Sequence, residues 1–289
     1  MFKKISYLIY NLLKIFDIIL KKLFKRSFLI WFKDFLENDS YKTIKILDRK
    51  ISFFSPNYIT NFLIDEFFTK EPETLEWIDN FQEQEEKIIF WDIGANIGLY
   101  SLYAGIKFNN IEVVSFEPST SNLRILSRNI SINNLEKKIK INQFPLSNVE
   151  NKYLTFNEGK FIEGVAQHTW GEKLNFEGKI FNASNKYKIF GTSINFLLDN
   201  NILKIPNYIK IDVDGIEHLI LQGASKYLSN PKIRSLSIEL NENFKEQLET
   251  VFEIMKENNF NIKHKKRAEN FVSYKDPKLM GIYNFVFEK

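Results

Sequence analysis

Two stretches of this chain carry residues whose types and spacing could do chemistry: Asp92-Ile93-Gly94-Ala95-Asn96-Ile97-Gly98, and Lys210-Ile211-Asp212-Val213-Asp214-Gly215-Ile216-Glu217. In the first, a carboxylate stands two residues ahead of a glycine turn. Such a turn brings bare backbone close to a ligand at the carboxyl edge of a parallel sheet. A pyrophosphate site asks for G-x-G-x-x-G, with the phosphate on a helix N-terminus. Counted from Gly94, that pattern needs glycine where this chain has Asn96 and Leu99. Asp92 would also repel an anion, so the acid suits a cationic ligand. Glu117-Pro118 follows at about the spacing, roughly 20 residues on, where an acid ends a second strand and takes ribose hydroxyls. It supports a nucleoside ligand without choosing between cofactors. In the second stretch Ile209, Ile211 and Val213 alternate with Lys210, Asp212 and Asp214. In an extended strand those three charges point one way. A buried lysine between acids is costly unless paired. The stretch is therefore either a structural ion-pair cluster or the floor of a reaction site.

The elements that must position these residues read as alternating strands and helices. Residues 88–91 are an apolar run without polar alternation, the mark of a strand covered on both faces. Tyr100, Leu102 and Tyr103 continue a helix after the glycine turn. Strands are expected over 113–116, 139–144 and 208–214, and near 233–240. Ser119 or Thr120 can cap a helix bearing Leu123, Leu126 and Ile130. Leu248, Val251, Phe252 and Met255 form another helical face, and two terminal strands close the sheet. Residues 150–192 break the rhythm with Gly159, Gly164, Gly171, Gly178 and aromatics (Phe161, Trp170, Phe176), and read as one or two hairpins over an acceptor pocket. Residues 36–87 read as one or two helices, starting at Pro72 in one case, with no chemistry of their own. The chain thus divides into an N-terminal helical extension (1–50), a helical lead-in (51–87) and a catalytic domain (88–289).

The extension is basic and amphipathic. Ile5, Leu8, Ile9, Leu12, Phe16, Ile19 and Leu23 share one face; Lys3, Lys4, Asn11, Lys14, Lys21, Lys22 and Lys25 share the other. Lysines interrupt it too often for a spanning helix, and no small-residue cleavage site follows. Either residues 1–26 lie on an anionic membrane surface, or the helix packs on the catalytic domain with its lysines in water, the reading slightly preferred. A net charge of +4 over 289 residues is too weak to argue for nucleic acid. The one basic cluster outside the N-terminus, 264–267, reads as a solvated turn. The absence of cysteine excludes disulfides, thiolate catalysis and Cys-ligated zinc, and is compatible with a reducing, cytoplasmic setting.

The pattern D-x-G-A-N-x-G resembles the first motif of class I S-adenosylmethionine-dependent methyltransferases. Together with Phe116-Glu117-Pro118, the Lys210 to Glu217 stretch, Gly223-Ala224 and the ending Tyr283-Asn284-Phe285-Val286-Phe287, the chain resembles the FkbM methyltransferase family over about residues 50–289. Two positions depart: Asp214 stands where the family often has Glu, and Asn148 where an acid often follows the Leu-Ser pair. The resemblance implies an α/β, Rossmann-like fold with a seven-stranded, mostly parallel sheet and helices on both faces. It also implies S-adenosylmethionine as cofactor and a hydroxyl acceptor, with sugars of surface polysaccharides among the candidates. Cofactor contacts would fall on Asp92, Gly94, Ala95, Asn96, Gly98, Glu117, Pro118, Leu146, Ser147 and Asp212.

An acceptor hydroxyl is a poor nucleophile and needs a base. Asp212 is the first candidate, with Lys210, Asp214 and Glu217 as positioning groups. Asp212, Glu239 and Asn241 could instead gather around a divalent cation as hard oxygen ligands, a minority reading. The three histidines are scattered without metal-ligand spacing; only His168, in the pocket loop, is a candidate base. Two rival readings remain: a nicotinamide-dependent sugar oxidoreductase, which Glu117 permits and Asn96, Leu99 and Asp92 oppose, and a non-catalytic membrane-associated binding module on the same fold.

Overall fold

The computed structural model describes residues 1–82, 86–267 and 280–289. In chain order, helices α1 (Phe2–Phe24) and α2 (Leu29–Asn38) precede strands β1 (Tyr41–Ile46) and β2 (Arg49–Phe54) and helices α3 (Tyr58–Asp65), α4 (Phe67–Lys70) and α5 (Pro72–Asp79). Then come β3 (Ile88–Ile93), α6 (Leu99–Lys107), β4 (Ile111–Phe116), α7 (Thr120–Ile132), β5 (Ile139–Asn142), β6 (Lys152–Glu158), β7 (His168–Trp170) and β8 (Asn185–Gly191). The chain closes with α8 (Ile194–Asp199), β9 (Tyr208–Ile211), α9 (Glu217–Gln222), β10 (Ser235–Asn241), α10 (Lys245–Glu257), β11 (Asn261–Lys266) and β12 (Ile282–Glu288).

The main sheet has seven strands in the order β11-β12-β10-β9-β3-β4-β5, as the family resemblance implies. The strands from β10 to β5 run parallel, and β12 is antiparallel to both its neighbours. Every residue of β3 is buried, which its unbroken apolar run requires of a strand covered on both faces. The pleat sends Phe90 into one core with Leu102, Ile125 and Tyr208, and Trp91 into the other with Leu198, Ile220 and Val251. On the first face the Phe81 ring stacks on Tyr208 with centroids 3.8 Å apart, and the Tyr208 hydroxyl accepts from Gln82 N at 2.9 Å. The chain leaves β3 toward β4 on one side and returns through β9 on the other. The gap beyond the carboxyl ends of β3 and β9 is the topological switch point, where parallel sheets bind ligands.

Several expectations need correction. The region before β3 is not purely helical. Tyr41–Ile46 and Arg49–Phe54 pair as a hairpin, so a boundary at residue 50 cuts through it. Its turn is Leu47-Asp48, with φ of 46° and 63°, the double positive φ of a tight hairpin made without the usual Asn-Gly. Residues 150–192 form a three-stranded antiparallel sheet, β7-β6-β8. Ser119 sits at the N-cap of α7, but its hydroxyl donates to Glu158 at 2.7 Å rather than capping the helix. Tyr187 donates to the same carboxylate at 2.8 Å, so Glu158 ties the small sheet to the end of β4. The basic cluster at 264–267 is not a turn: its first three residues belong to the end strand β11, where exposed lysines blunt an open sheet edge. The N-terminal helix does not lay its apolar face on the domain. Only Asp17 of α1 is buried.

The hairpin is fastened by α7. Asn129, fully buried, accepts from Phe54 N at 2.8 Å and donates to Ile97 O at 2.9 Å, joining the hairpin to the glycine turn. Arg128 lies 4.0 Å from the Phe54 ring centroid. Asn129→Ala orphans two buried backbone groups at once. Unfolding in urea should show a loss of about 2–4 kcal/mol, against about 0.5 for Ser127→Ala at an exposed position of the same helix.

Candidate functional site

A cavity of about 320 Å³ opens beyond the carboxyl ends of β3, β4, β9 and β10. It is within the size range of small-molecule sites. The glycine turn forms one wall. Gly94 and Gly98 have φ of 88°, and Asn96 between them 49°. At Gly94 a Cβ would fall 1.8 Å from the Asp212 carbonyl oxygen, so only glycine lets the β3 and β9 loops meet. Gly223 does the same behind the cavity, where a Cβ would sit 2.1 Å from Ser147 O.

Glu117 ends β4 and faces the cavity. Its carboxylate accepts from Asn96 N at 2.7 Å and Ser119 N at 2.8 Å. Burial pushes this carboxyl up to about 8, against those backbone hydrogen bonds. Gly94, Ala95, Asn96, Pro118 and Leu146, expected as cofactor contacts, also line the cavity. Three predicted contacts do not reach it. Asp92 is completely buried one layer below, where its carboxylate accepts from Ser101 at 2.5 Å. Its second oxygen is buried without a hydrogen-bond partner among the described residues. Gly98 is turned under Leu126 at the N-cap of α6. Ser147 is buried against its own neighbour, donating to Asn148 Oδ1 at 3.3 Å.

The floor is built around Lys210. It is 1% exposed, stands in register with Asp92, and donates to Asp212 Oδ2 at 2.7 Å. Burial alone would lower its pKa, but Asp212, Glu71 and Asp92 hold it above the ordinary lysine value. The Tyr100 ring lies 5.0 Å from its ammonium. Glu71, which sequence reading left without a role, is fully buried here and paired with Lys70. Burial would raise its carboxyl, but Lys70 and Lys210 hold it down to about 2. Carboxylate oxygens of Glu71, Asp212 and Glu239 lie within 4.8 Å of one another. Asp212 and Glu239 therefore meet as expected, but with Glu71 in place of Asn241. Asn241 turns away to Phe176 O at 3.0 Å and Asn243 N at 2.9 Å. Two ammonium groups already answer two of the three acids. Glu239 accepts no hydrogen bond among the described residues. Burial, then Asp212 and Glu71, push its carboxyl well above the usual range.

The remaining predicted residues divide. β9 ends at Ile211, so Lys210 and Asp212 share a side but Asp214, with φ of 63°, does not continue the strand. Asp214 lines the cavity and accepts from Gln167 N at 2.6 Å, joining the floor to the segment above it. Burial and the Asp212 charge push it up to about 6. Glu217 lies outside the cavity. It accepts from Gly215 N at 3.1 Å and Gln247 Nε2 at 2.6 Å, bracing the turn after β9. Burial pushes it up to about 7. His168 lines the cavity with Nε2 3.0 Å from Val165 O and Nδ1 buried without a partner among the described residues. Burial lowers its pKa. The signal for Glu71 was a charged Lys-Glu pair at the break before Pro72.

Among known proteins, the profile of the family described as "Methyltransferase FkbM domain" matches residues 92–262. A curated relative, methyltransferase sdnD of Sordaria araneosa, is 41% identical over 56 residues. That alignment covers 19% of this chain and 22% of that protein, so the chain matches about a fifth of its relative's length. The fold is also similar to the fibrillarin pre-rRNA processing protein of Methanococcus jannaschii, with 13% identity and a TM-score of 0.44 over 86% of this chain and 81% of that one. The M. capricolum protein TrmK, solved with S-adenosyl-homocysteine, is 14% identical with a TM-score of 0.40, over 74% and 67% of the two chains.

The buried acids set a pH dependence. Glu117 titrates near 4.5 in the unfolded chain and about 8 in the fold. A folded pKa raised in this way gives stability that is full below 4.5 and is lost as pH rises through about 8. Thermal denaturation should show Tm falling between pH 5 and 8, and Glu117→Gln should flatten that slope.

Proposed function

The chain belongs to the FkbM methyltransferase family, and from that membership we propose that it transfers a methyl group from S-adenosylmethionine to a hydroxyl oxygen, of a sugar in a surface polysaccharide or related glycan. One observation carries the reading: a single carboxylate, Glu239, stands without a hydrogen-bond partner among the described residues on a cavity floor where its neighbours are ion-paired. A base near the acceptor is what a hydroxyl acceptor needs.

The cofactor's chemistry fits the residues present. Glu117 faces the cavity with a carboxylate that can take ribose hydroxyls in addition to its two backbone donors. The turn from Gly94 to Asn96 offers backbone without side-chain bulk. Leu146 and Ile220 give an apolar wall for a flat base. The acidic floor favours a cation. When bound, the cofactor supplies a methyl group already activated by positive charge on sulfur. The protein's part is then mainly orientation and proton removal. Asp212 was the first candidate base, but its carboxylate is committed to Lys210. Glu239 takes the acceptor proton as the new O–C bond forms. Its raised pKa, caused first by burial and then by Asp212 and Glu71, makes it a stronger base once ionised. Lys210 and Lys70 hold the other two acids in place, and His168 also lines the cavity.

Calorimetric titration should show S-adenosylmethionine binding and no NAD binding, with affinity abolished in Gly94→Ala. NAD binding alone overturns the reading. With radiolabelled cofactor and a panel of hydroxylated glycans, Glu239→Gln should lower kcat by about 10²–10⁴ while leaving cofactor affinity unchanged. The wild-type rate should rise with pH as Glu239 ionises, and that dependence should vanish in the variant. Methylation of amines in place of hydroxyls overturns the acceptor class.

A further inference from the structure

We infer that α1 and α2 form a docking surface for an anionic lipid bilayer, on which the protein lies without crossing. The inference is independent of the reaction proposed above.

The first observation is exposure. Leu8, Leu12, Phe16, Ile19 and Leu23, at helical spacing on one face of α1, are 50–69% exposed. On α2, Trp31, Phe35 and Leu36 are 60–64% exposed. Scattered exposed apolar residues need no explanation, but a continuous stripe on two adjacent helices does. No described helix is long and apolar enough to span a membrane.

The second is charge. Residues 1–38 hold Lys3, Lys4, Lys14, Lys21, Lys22, Lys25, Arg26 and Lys33 against only Asp17, Asp34 and Glu37. Two of those acids are turned inward. Asp17 is buried, accepting from Ser27 Oγ at 2.8 Å and Phe28 N at 2.8 Å, which folds α2 back against α1. Glu37 pairs with Arg124 at 2.5 Å and Arg128 at 3.1 Å. The outer surface is therefore cationic beside its apolar stripe, with Asp34 as its remaining acid. Apolar residues in the acyl boundary with lysines at anionic headgroups is the arrangement of an interfacial helix. A second copy of this chain would bring like charges together.

The third is rigidity. Arg124 also pairs with Glu163 at 2.8 Å, and Val165, two residues on, lines the cavity. Asn57 and Asn122 hold the same segment through Glu163 O and Gly164 N. The helix pair is thus fastened to the rim of the cavity, and a bilayer beneath it fixes where that rim sits.

The test uses the full chain with vesicles of phosphatidylcholine, with and without one-third phosphatidylglycerol. Of the four tryptophans, Trp77, Trp91 and Trp170 are buried, so an emission shift on binding reports on Trp31. Sedimentation should show binding to the anionic vesicles, with a blue shift that Trp31→Phe abolishes. Leu8→Asp/Leu12→Asp and, separately, Lys14→Glu/Lys22→Glu should each weaken binding by at least about tenfold, with unchanged thermal unfolding because all four side chains are exposed. No binding, equal binding to neutral vesicles, or binding insensitive to both double variants overturns the inference. So does a dimer in analytical ultracentrifugation that Leu8→Asp/Leu12→Asp dissolves, since the face would then be covered by a second copy.

Discussion

A lysine ammonium at the carboxyl end of a central parallel strand, cut off from water, is the constraint that the rest of this structure answers to. Desolvating Lys210 is worth several kcal/mol against the fold unless acids surround it. Asp92 comes from the neighbouring strand in register, Asp212 from two residues along, and Glu71 from a helix break before the sheet begins. The packing between β3 and β9 follows from the same demand. The two loops approach so closely at Gly94 that no side chain fits.

Once those pairs are made, the remaining groups acquire distinct tasks. Glu117 spends its oxygens on two backbone donors and still faces the cavity. Asp214 joins floor to roof, and Glu217 braces the turn from behind. Glu239 is left with no hydrogen bond among the described residues, and burial and the charges of Asp212 and Glu71 outweigh that of Lys70, which is how a cluster of structural ion pairs yields a group that still holds proton affinity. Within the Lys210 stretch itself the ion-pair reading describes Lys210 and Asp212, while Asp214 and Glu217 brace the backbone around them.

Local pattern made much of this legible. The apolar run of β3, the glycine turn, Glu117 and the alternation around Lys210 all act over a few residues, where periodicity and turn chemistry speak directly. What depends on long-range packing was not legible. Glu71 reaches the site only because α4 and α5 dock on the sheet. Whether Asp92 faces a ligand or the layer below depends on the pleat, which turns it toward Ser101. Asn241 looked like a ligand because it shares a strand end with Glu239, yet its neighbour Asn243 and Phe176 O claim it. The first hairpin did carry a period of two, but Leu47-Asp48 lacks the glycine that usually announces such a turn.

The Lys210 cluster also restricts how this sequence can drift. Neutralising Lys210 alone leaves Asp92 and Asp212 facing each other without a counter-charge, and Glu71 with Lys70 as its remaining partner. Neutralising one of the acids removes part of what keeps the lysine charged. Either single step costs more than the exchange of a whole pair, because a stranded buried charge is worse than none. Viable descendants must therefore change these positions in concert, and a residue in the helical lead-in, Glu71, becomes historically bound to a strand far along the chain.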